Sequence, residues 1–184
     1  MELDKAILQR HSVRKFAKKK PDWRSIVEAI NLARLAPLAG NLASLKFVIV
    51  SDEKKIKALA EAANQDFIKQ AGYVVVVCSN NENTVLAYGE RGKRYVKLQA
   101  GAAIENFLLK LEEEGLSTCW VGAFYDEEVR GILRIPENID IEGIFPIGYA
   151  GEKTKQKPKP ELSGLMFFET WGNKYMVPTK KLEV

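Results

Sequence analysis

Histidine is nearly missing from this chain and cysteine is scarce. His11 stands alone, and the two cysteines, Cys78 and Cys119, are far apart. With no CxxC pair and one imidazole, there are too few ligands for a Cys/His zinc centre. Both thiols fall inside apolar, strand-like runs, which suits buried free cysteines in a reducing compartment. No apolar run approaches the roughly 20 residues of a membrane span. The opening MELDKAILQR is polar and amphipathic rather than a secretory signal, so a cytoplasmic, soluble chain is expected. Neither GxGxxG nor the P-loop pattern occurs, which removes the Rossmann and Walker phosphate sites. There is no obvious catalytic triad, internal repeat or low-complexity segment.

What the chain does contain is an ordinary globular composition. Its 184 residues match one domain; 46% are hydrophobic and 28% charged. The net charge of +4 is too small to argue for nucleic acid by itself, though it favours an anionic partner such as a phosphorylated cofactor.

Periodicity lays out the elements. Residues 2–9 read as a short helix with Leu3, Ala6 and Ile7 on one face. A second helix starts after Pro21, capped by Asp22, with Trp23, Ile26, Val27, Ile30 and Ala33 at helical spacing. Leu45 to Val50 reads as a strand and Asp52 to Ala63 as a helix. Tyr73 to Cys78 is a continuous apolar run, as in a strand covered on both faces. Tyr95 to Leu111 is the longest helix candidate, ending at Gly115. Its Gly101 costs about 1 kcal/mol relative to alanine, and close packing against another helix is one candidate reason. Ser117 to Gly122 reads as a strand entering a loop, Asp126 to Leu133 as a helix opening with three acids, and Ile141 to Tyr149 as a strand.

Four segments carry candidate chemistry. In Arg10-His-Ser-Val-Arg14-Lys-Phe16, an extended backbone would point Arg10, Ser12 and Arg14 the same way, forming an anion grip. A solvated basic turn is the competing reading. Pro37-Leu-Ala-Gly-Asn41 offers close backbone approach at Gly40 and a donor–acceptor pair at Asn41, or simply a turn. Cys119-Trp-Val-Gly-Ala-Phe124 ends a strand, where ligands of open α/β sheets sit; ordinary packing with Trp120 in the core is the alternative. Pro146 to Glu152, followed by lysines, could complete a phosphate site or stay solvated.

The order of these segments resembles the nitroreductase family of FMN enzymes, from about Ala6 to Tyr175. RHSVRKF is the most specific part, similar to the family's Arg-x-Ser-x-Arg-x-Phe signature. The resemblance implies an α+β fold, an α/β/α sandwich with a mainly antiparallel sheet. It implies one domain over 1–184, with 153–184 as a basic loop and an arm exchanged with a partner subunit. It implies FMN at the interface of a homodimer, with NADH or NADPH as co-substrate. Arg10 and Ser12 would hold phosphate and ribityl oxygens, with His11 alongside and Arg14 near the N1/O2 edge of the ring. Pro37, Leu38, Ala39 and Asn41 would line the cofactor, Asn41 at its pyrimidine edge. Val121, Gly122 and Ala123 would face N5, and Lys157 and Lys159 would lie near the phosphate. The implied activity is hydride transfer through the flavin to nitroaromatics, quinones or related electrophiles by a two-step exchange. A specialised dehalogenase or dehydrogenase, a non-catalytic flavin carrier and a basic nucleic-acid module are the alternatives. Leu38 departs from the family's serine, and residues 64–98 are compact, so no substrate preference is implied.

Overall fold

The valine run is the middle of the molecule. In the computed structural model, which describes residues 2–152 and 158–176, β1 (Leu45–Val50) and β2 (Tyr73–Ser79) pair antiparallel. Further along come β3 (Ser117–Thr118) and β4 (Asp140–Gly148). β4 pairs antiparallel with both β2 and β3, giving the order β1-β2-β4-β3.

Alternate valines of β2 feed two cores. Val74, Val76 and Cys78 pack with Ile56 and Leu59 of α3 (Glu53–Ala62) and with Val129 of α6 (Asp126–Leu133). Val75 and Val77 pack with Ile26 of α2 (Trp23–Ala33) and with Ile104 and Phe107 of α5 (Glu90–Glu113). The fold is therefore an α/β/α sandwich around an antiparallel sheet. Val74 through Val77 are fully buried, and each contributes about 1.5–3 kcal/mol relative to exposure. Both faces of β2 are covered, as a continuous apolar run demands.

The helix ends follow local chemistry. Asp22 accepts the Arg24 N–H at 3.0 Å, and Asp52 accepts the Lys55 N–H at 2.9 Å. α5 closes on Gly115 at φ +71°, with the Leu116 N–H reaching the Leu111 carbonyl at 2.8 Å.

Several expectations need correction. α5 begins at Glu90 rather than Tyr95, and α4 (Glu82–Tyr88) precedes it. Residues 82–94 bury only Thr84 and Gly92, so no apolar stripe announces them. They form because α4 folds back on α5, where a side chain at Gly92 would meet the Thr84 backbone. On α2 the buried residues are Ile26, Ala29 and Ala33, while Trp23 and Val27 face outward. On α1 (Leu3–Gln9) only Ala6 is buried, leaving Leu3 and Ile7 exposed. A Cβ at Gly101 would meet nothing within 4 Å, so close packing inside the chain does not explain that glycine.

Among the described residues, no helix is long and apolar enough to cross a membrane. The segment 158–176 contains a tight turn at Leu162–Gly164 and packs Phe167 against Trp171, the tilted rings 5.0 Å apart. Trp171 is 92% exposed, so this arm presents an aromatic surface. Lys157 lies outside the described residues, as do the last eight positions of the arm.

Candidate functional site

The Arg10–Phe16 segment runs along the free edge of β3 and then beside the end of β4. Its Val13 N–H donates to the Thr118 carbonyl at 2.9 Å, and Ser12 pairs with Thr118 in parallel. The Ala17 N–H donates to Tyr149, and the Gly151 N–H donates to Lys15. Val13 and Phe16 turn inward against Ala71. Ser12 and Arg14, on either side of buried Val13, face outward, the orientation an anion grip needs. The glycines of the 146–152 segment fit this arrangement. A Cβ at Gly148 would lie 2.9 Å from the Phe16 ring, and one at Gly151 would lie 3.0 Å from the Phe16 backbone. The first and fourth motifs are thus built against each other.

Helix α5 holds the start of that segment. Arg10 Nε lies 3.2 Å from Glu105 Oε1, and His11 Nδ1 lies 2.7 Å from the Gln9 carbonyl. Burial pushes the Glu112 carboxyl above its ordinary range, opposed by the positive charges of His11 and Arg10. The cationic start of the signature therefore faces an acidic stripe of α5.

The 37–41 loop is fixed by a residue that sequence reading missed. Gln99 of α5 is buried, and its Oε1 accepts the Ala39 N–H at 3.1 Å. Its Nε2 donates to the Leu42 carbonyl at 3.2 Å and to the Ser44 hydroxyl. Gly40 and Asn41 both adopt φ of +57°, and the Tyr88 hydroxyl comes close enough to Gly40 to exclude a Cβ there. The loop and α5 border an open groove of about 310 Å³, lined by Pro37, Leu38, Ala39, Tyr95, Leu98 and Ala102. The signal for Gln99 was present: an uncharged amide stands among Val96, Ala100 and Ala103 on the buried face of a helix.

The third motif extends β3. Val121 and Ile144 exchange backbone hydrogen bonds of 3.0 Å, in the same register as Ser117 opposite Gly148. Gly122 and Ala123 follow as exposed residues, and a Cβ at Gly122 would meet open space. The alternative of ordinary packing with Trp120 in the core does not hold: Trp120 is 42% exposed, lying over Gly143 with its Nε1–H on the Glu142 carbonyl at 3.1 Å. The rule placing ligands beyond carboxyl strand ends belongs to parallel sheets and has no purchase on this antiparallel one.

Below Trp120 sits a second polar group that the sequence did not announce. The Glu142 carboxylate accepts from Ser79 Oγ and from Lys97 Nζ at 2.8 Å. Lys97 also donates to Asp140 at 2.9 Å. Burial opposes the Lys97 charge, but Glu142 and Asp140 outweigh it and raise its pKa.

Three of the four motifs therefore share one sheet edge: 10–16, 118–123 and 148–151. The fourth, 37–41, is anchored at Gln99, about 9 Å along α5 from Glu105. Lys159 is exposed. Among the described residues no group of His, Cys, Asp and Glu could hold a metal ion.

Known proteins are similar to this chain. The model of the nitroreductase family matches residues 7–149. An Archaeoglobus fulgidus protein, provisionally named NADH dehydrogenase/NAD(P)H nitroreductase, is 30% identical over 150 residues, covering 79% of this chain and 83% of that one. An FMN reductase (NADPH) of Bacillus subtilis is 23% identical over 168 residues, covering 83% and 68%. The crystal structure of a nitroreductase family protein from Clostridium novyi NT superposes with a TM-score of 0.75 at 26% identity, covering 94% and 96%.

Proposed function

This chain belongs to the nitroreductase family, and from that premise we propose that it is an FMN-dependent oxidoreductase. It takes hydride from NADH or NADPH and passes it to a small electrophile, nitroaromatic or quinone-like. It works as a homodimer in the cytoplasm, its single domain spanning residues 1–184.

The residues present suit the cofactor. FMN needs cationic and hydroxyl groups for its phosphate, donors for its ring edge, and a flat place without side-chain bulk. Arg10 and Ser12 supply the first set, Arg14 follows on the same extended segment as a cation for the ring edge, and the exposed Gly122–Ala123 backbone supplies a low-profile donor edge. The observation that carries the reading is the pairing of Ser12 with Thr118. It sets Ser12 on the same edge as the 121–123 loop, which runs from about 10 to about 16 Å further along the strand direction. That separation accommodates an elongated molecule with a phosphate at one end and a ring at the other. Lys157 and Lys159 are proposed phosphate neighbours on the resemblance alone.

Bound flavin would supply the hydride chemistry, and the protein would supply position and electrostatics. Arg14 would offset negative charge at the N1/O2 edge. Gln99 would hold Pro37, Leu38, Ala39 and Asn41 in place as the second wall. His11, turned to the Gln9 carbonyl, would have a structural or contact role rather than a proton-transfer one. Nicotinamide and acceptor would use one place in turn, giving ping-pong kinetics.

The dimer is supported by apolar surface that one chain leaves bare. Leu3 and Leu35 border a groove of about 370 Å³ between α1, α2 and α5, and Leu98 and Trp171 are also exposed. We place the second copy on these surfaces and the 37–41 loop of one copy beside the signature of the other.

The test is a titration of protein with FMN and then with NADH and NADPH under nitrogen. One tightly bound flavin per chain, bleached by nicotinamide and recoloured by a quinone, is expected. Bound flavin that no nicotinamide bleaches would leave a carrier instead of an enzyme.

A further inference from the structure

The positive charge of this protein is concentrated in one short stretch. Residues 14–20 hold Arg14, Lys15, Lys18, Lys19 and Lys20 and no acid, whereas the whole chain carries +4. The remaining residues therefore sum to about −1, so the chain's net charge lies in these seven positions. The stretch continues directly from the signature segment and is fixed by its backbone bonds to Tyr149 and Gly151.

Two of the lysines are held in place. The Lys19 ammonium lies 4.7 Å over the Tyr149 ring, and the Lys20 ammonium lies 4.6 Å over the Tyr73 ring. Lys15 is neutralised by Glu152 at 3.0 Å. Lys18, Lys19 and Lys20 remain as a cationic knuckle of three consecutive exposed residues.

We propose that this knuckle is the subsite for the 2′-phosphate of NADPH, so that the enzyme prefers NADPH to NADH. The inference rests on the proposed function, which sets Arg14 at the edge of the flavin ring that the nicotinamide must reach. Lys20 is six residues beyond Arg14, at most about 20 Å away. A dinucleotide seated at Arg14 carries its adenosine end over such a distance. The 2′-phosphate is a phosphomonoester, near −2 at neutral pH, and is the one charge that separates the two coenzymes. Three consecutive exposed lysines complement it in charge. The preference should weaken with salt, since the lysines are exposed.

The experiment compares wild type with the triple variant Lys18→Gln, Lys19→Gln, Lys20→Gln, and with the triple arginine variant. Flavin reduction is measured with NADPH and NADH, and binding of 2′,5′-ADP and of 5′-ADP is measured by calorimetry on protein without flavin. In wild type the NADPH:NADH ratio of kcat/KM should exceed about tenfold. In the glutamine variant it should fall to about threefold or less, with FMN affinity unchanged. The arginine variant should retain the preference, and 2′,5′-ADP should bind tighter than 5′-ADP only where the cations remain. An unchanged ratio in the glutamine variant would overturn the subsite. Equal binding of 2′,5′-ADP and 5′-ADP would overturn it even if the protein took no flavin. Loss of duplex DNA retention with the coenzyme ratio intact would reassign the knuckle to nucleic acid.

Discussion

Gln99 and Ala39 are joined by a buried hydrogen bond of 3.1 Å, which ties a mid-helix amide to the backbone of the loop proposed to wall the flavin. The same side chain also holds Leu42 and Ser44, so one residue sets both ends of the loop. Gln99→Leu would leave the Ala39 N–H and the Ser44 hydroxyl short of partners. The expected loss is about 1–3 kcal/mol in urea unfolding. FMN should bind at least several-fold more weakly, measured by fluorescence quenching. Unfolding and FMN affinity like wild type would remove Gln99 from this role.

Gly143 and Trp120 give the second prediction. A Cβ at position 143 would stand 2.5 Å from Trp120 Nε1. Gly143→Ala should push the indole outward, red-shift the tryptophan emission and cost about 1–3 kcal/mol. Because Trp120 precedes the 121–123 segment, flavin reduction should slow as well. Unaltered emission would show that the ring does not rest on this glycine.

The Lys97–Glu142 pair gives the third. The Glu142 side chain is 10% exposed, so its carboxylate depends on Lys97 and Ser79. Lys97→Met should destabilise by about 1–3 kcal/mol near pH 7. The Lys97 pKa is raised on folding, so its contribution is complete below its ordinary value of 10.5 and fades as pH rises through the folded value. The difference between wild type and variant should accordingly shrink in strongly alkaline buffer, as followed by circular dichroism. A pH-independent difference would assign the loss to packing of the lysine stem.

Glu112 has the opposite balance. Burial raises its pKa above 4.5 more than His11 and Arg10 lower it, so the folded protein disfavours its charge. Stability linked to this group is full below pH 4.5 and declines as pH rises through the folded value. Glu112→Gln should therefore raise the melting temperature slightly at pH 7 and leave it unchanged near pH 4. A lower melting temperature at pH 7 would mean that the charge, paired with Arg10 and His11, is a net support.

The sequence made some of this legible and hid the rest for physical reasons. β1 and α6 match their expected bounds because apolar runs and N-terminal acids mark them locally. The outward Ser12 and Arg14 were readable too, since alternation follows from extended backbone alone. α4 was invisible because Thr84 is its one buried residue and its packing depends on Gly92, eight positions later. The alternative that buried Trp120 failed because a large indole invites burial, whereas its N–H and one face are satisfied at the sheet edge. Glu142 escaped notice because its partners Ser79 and Lys97 lie 63 and 45 residues away, and Gln99 showed only as an amide on a buried helix face, its partner Ala39 lying 60 residues away. Long-range polar pairs carry no periodic signal.

The central claim is that the Arg10–Arg14 edge and the 37–41 loop meet, across two copies of the chain, on one flavin. Light scattering of the purified protein with simultaneous absorbance at 280 and 450 nm tests it most directly, on wild type and on Arg14→Ala. The account predicts a species of twice the chain mass carrying one FMN per chain, with flavin content and reduction rate both markedly lower in the variant. A monomer with a full flavin complement, or a variant that holds and reduces FMN like wild type, would contradict it.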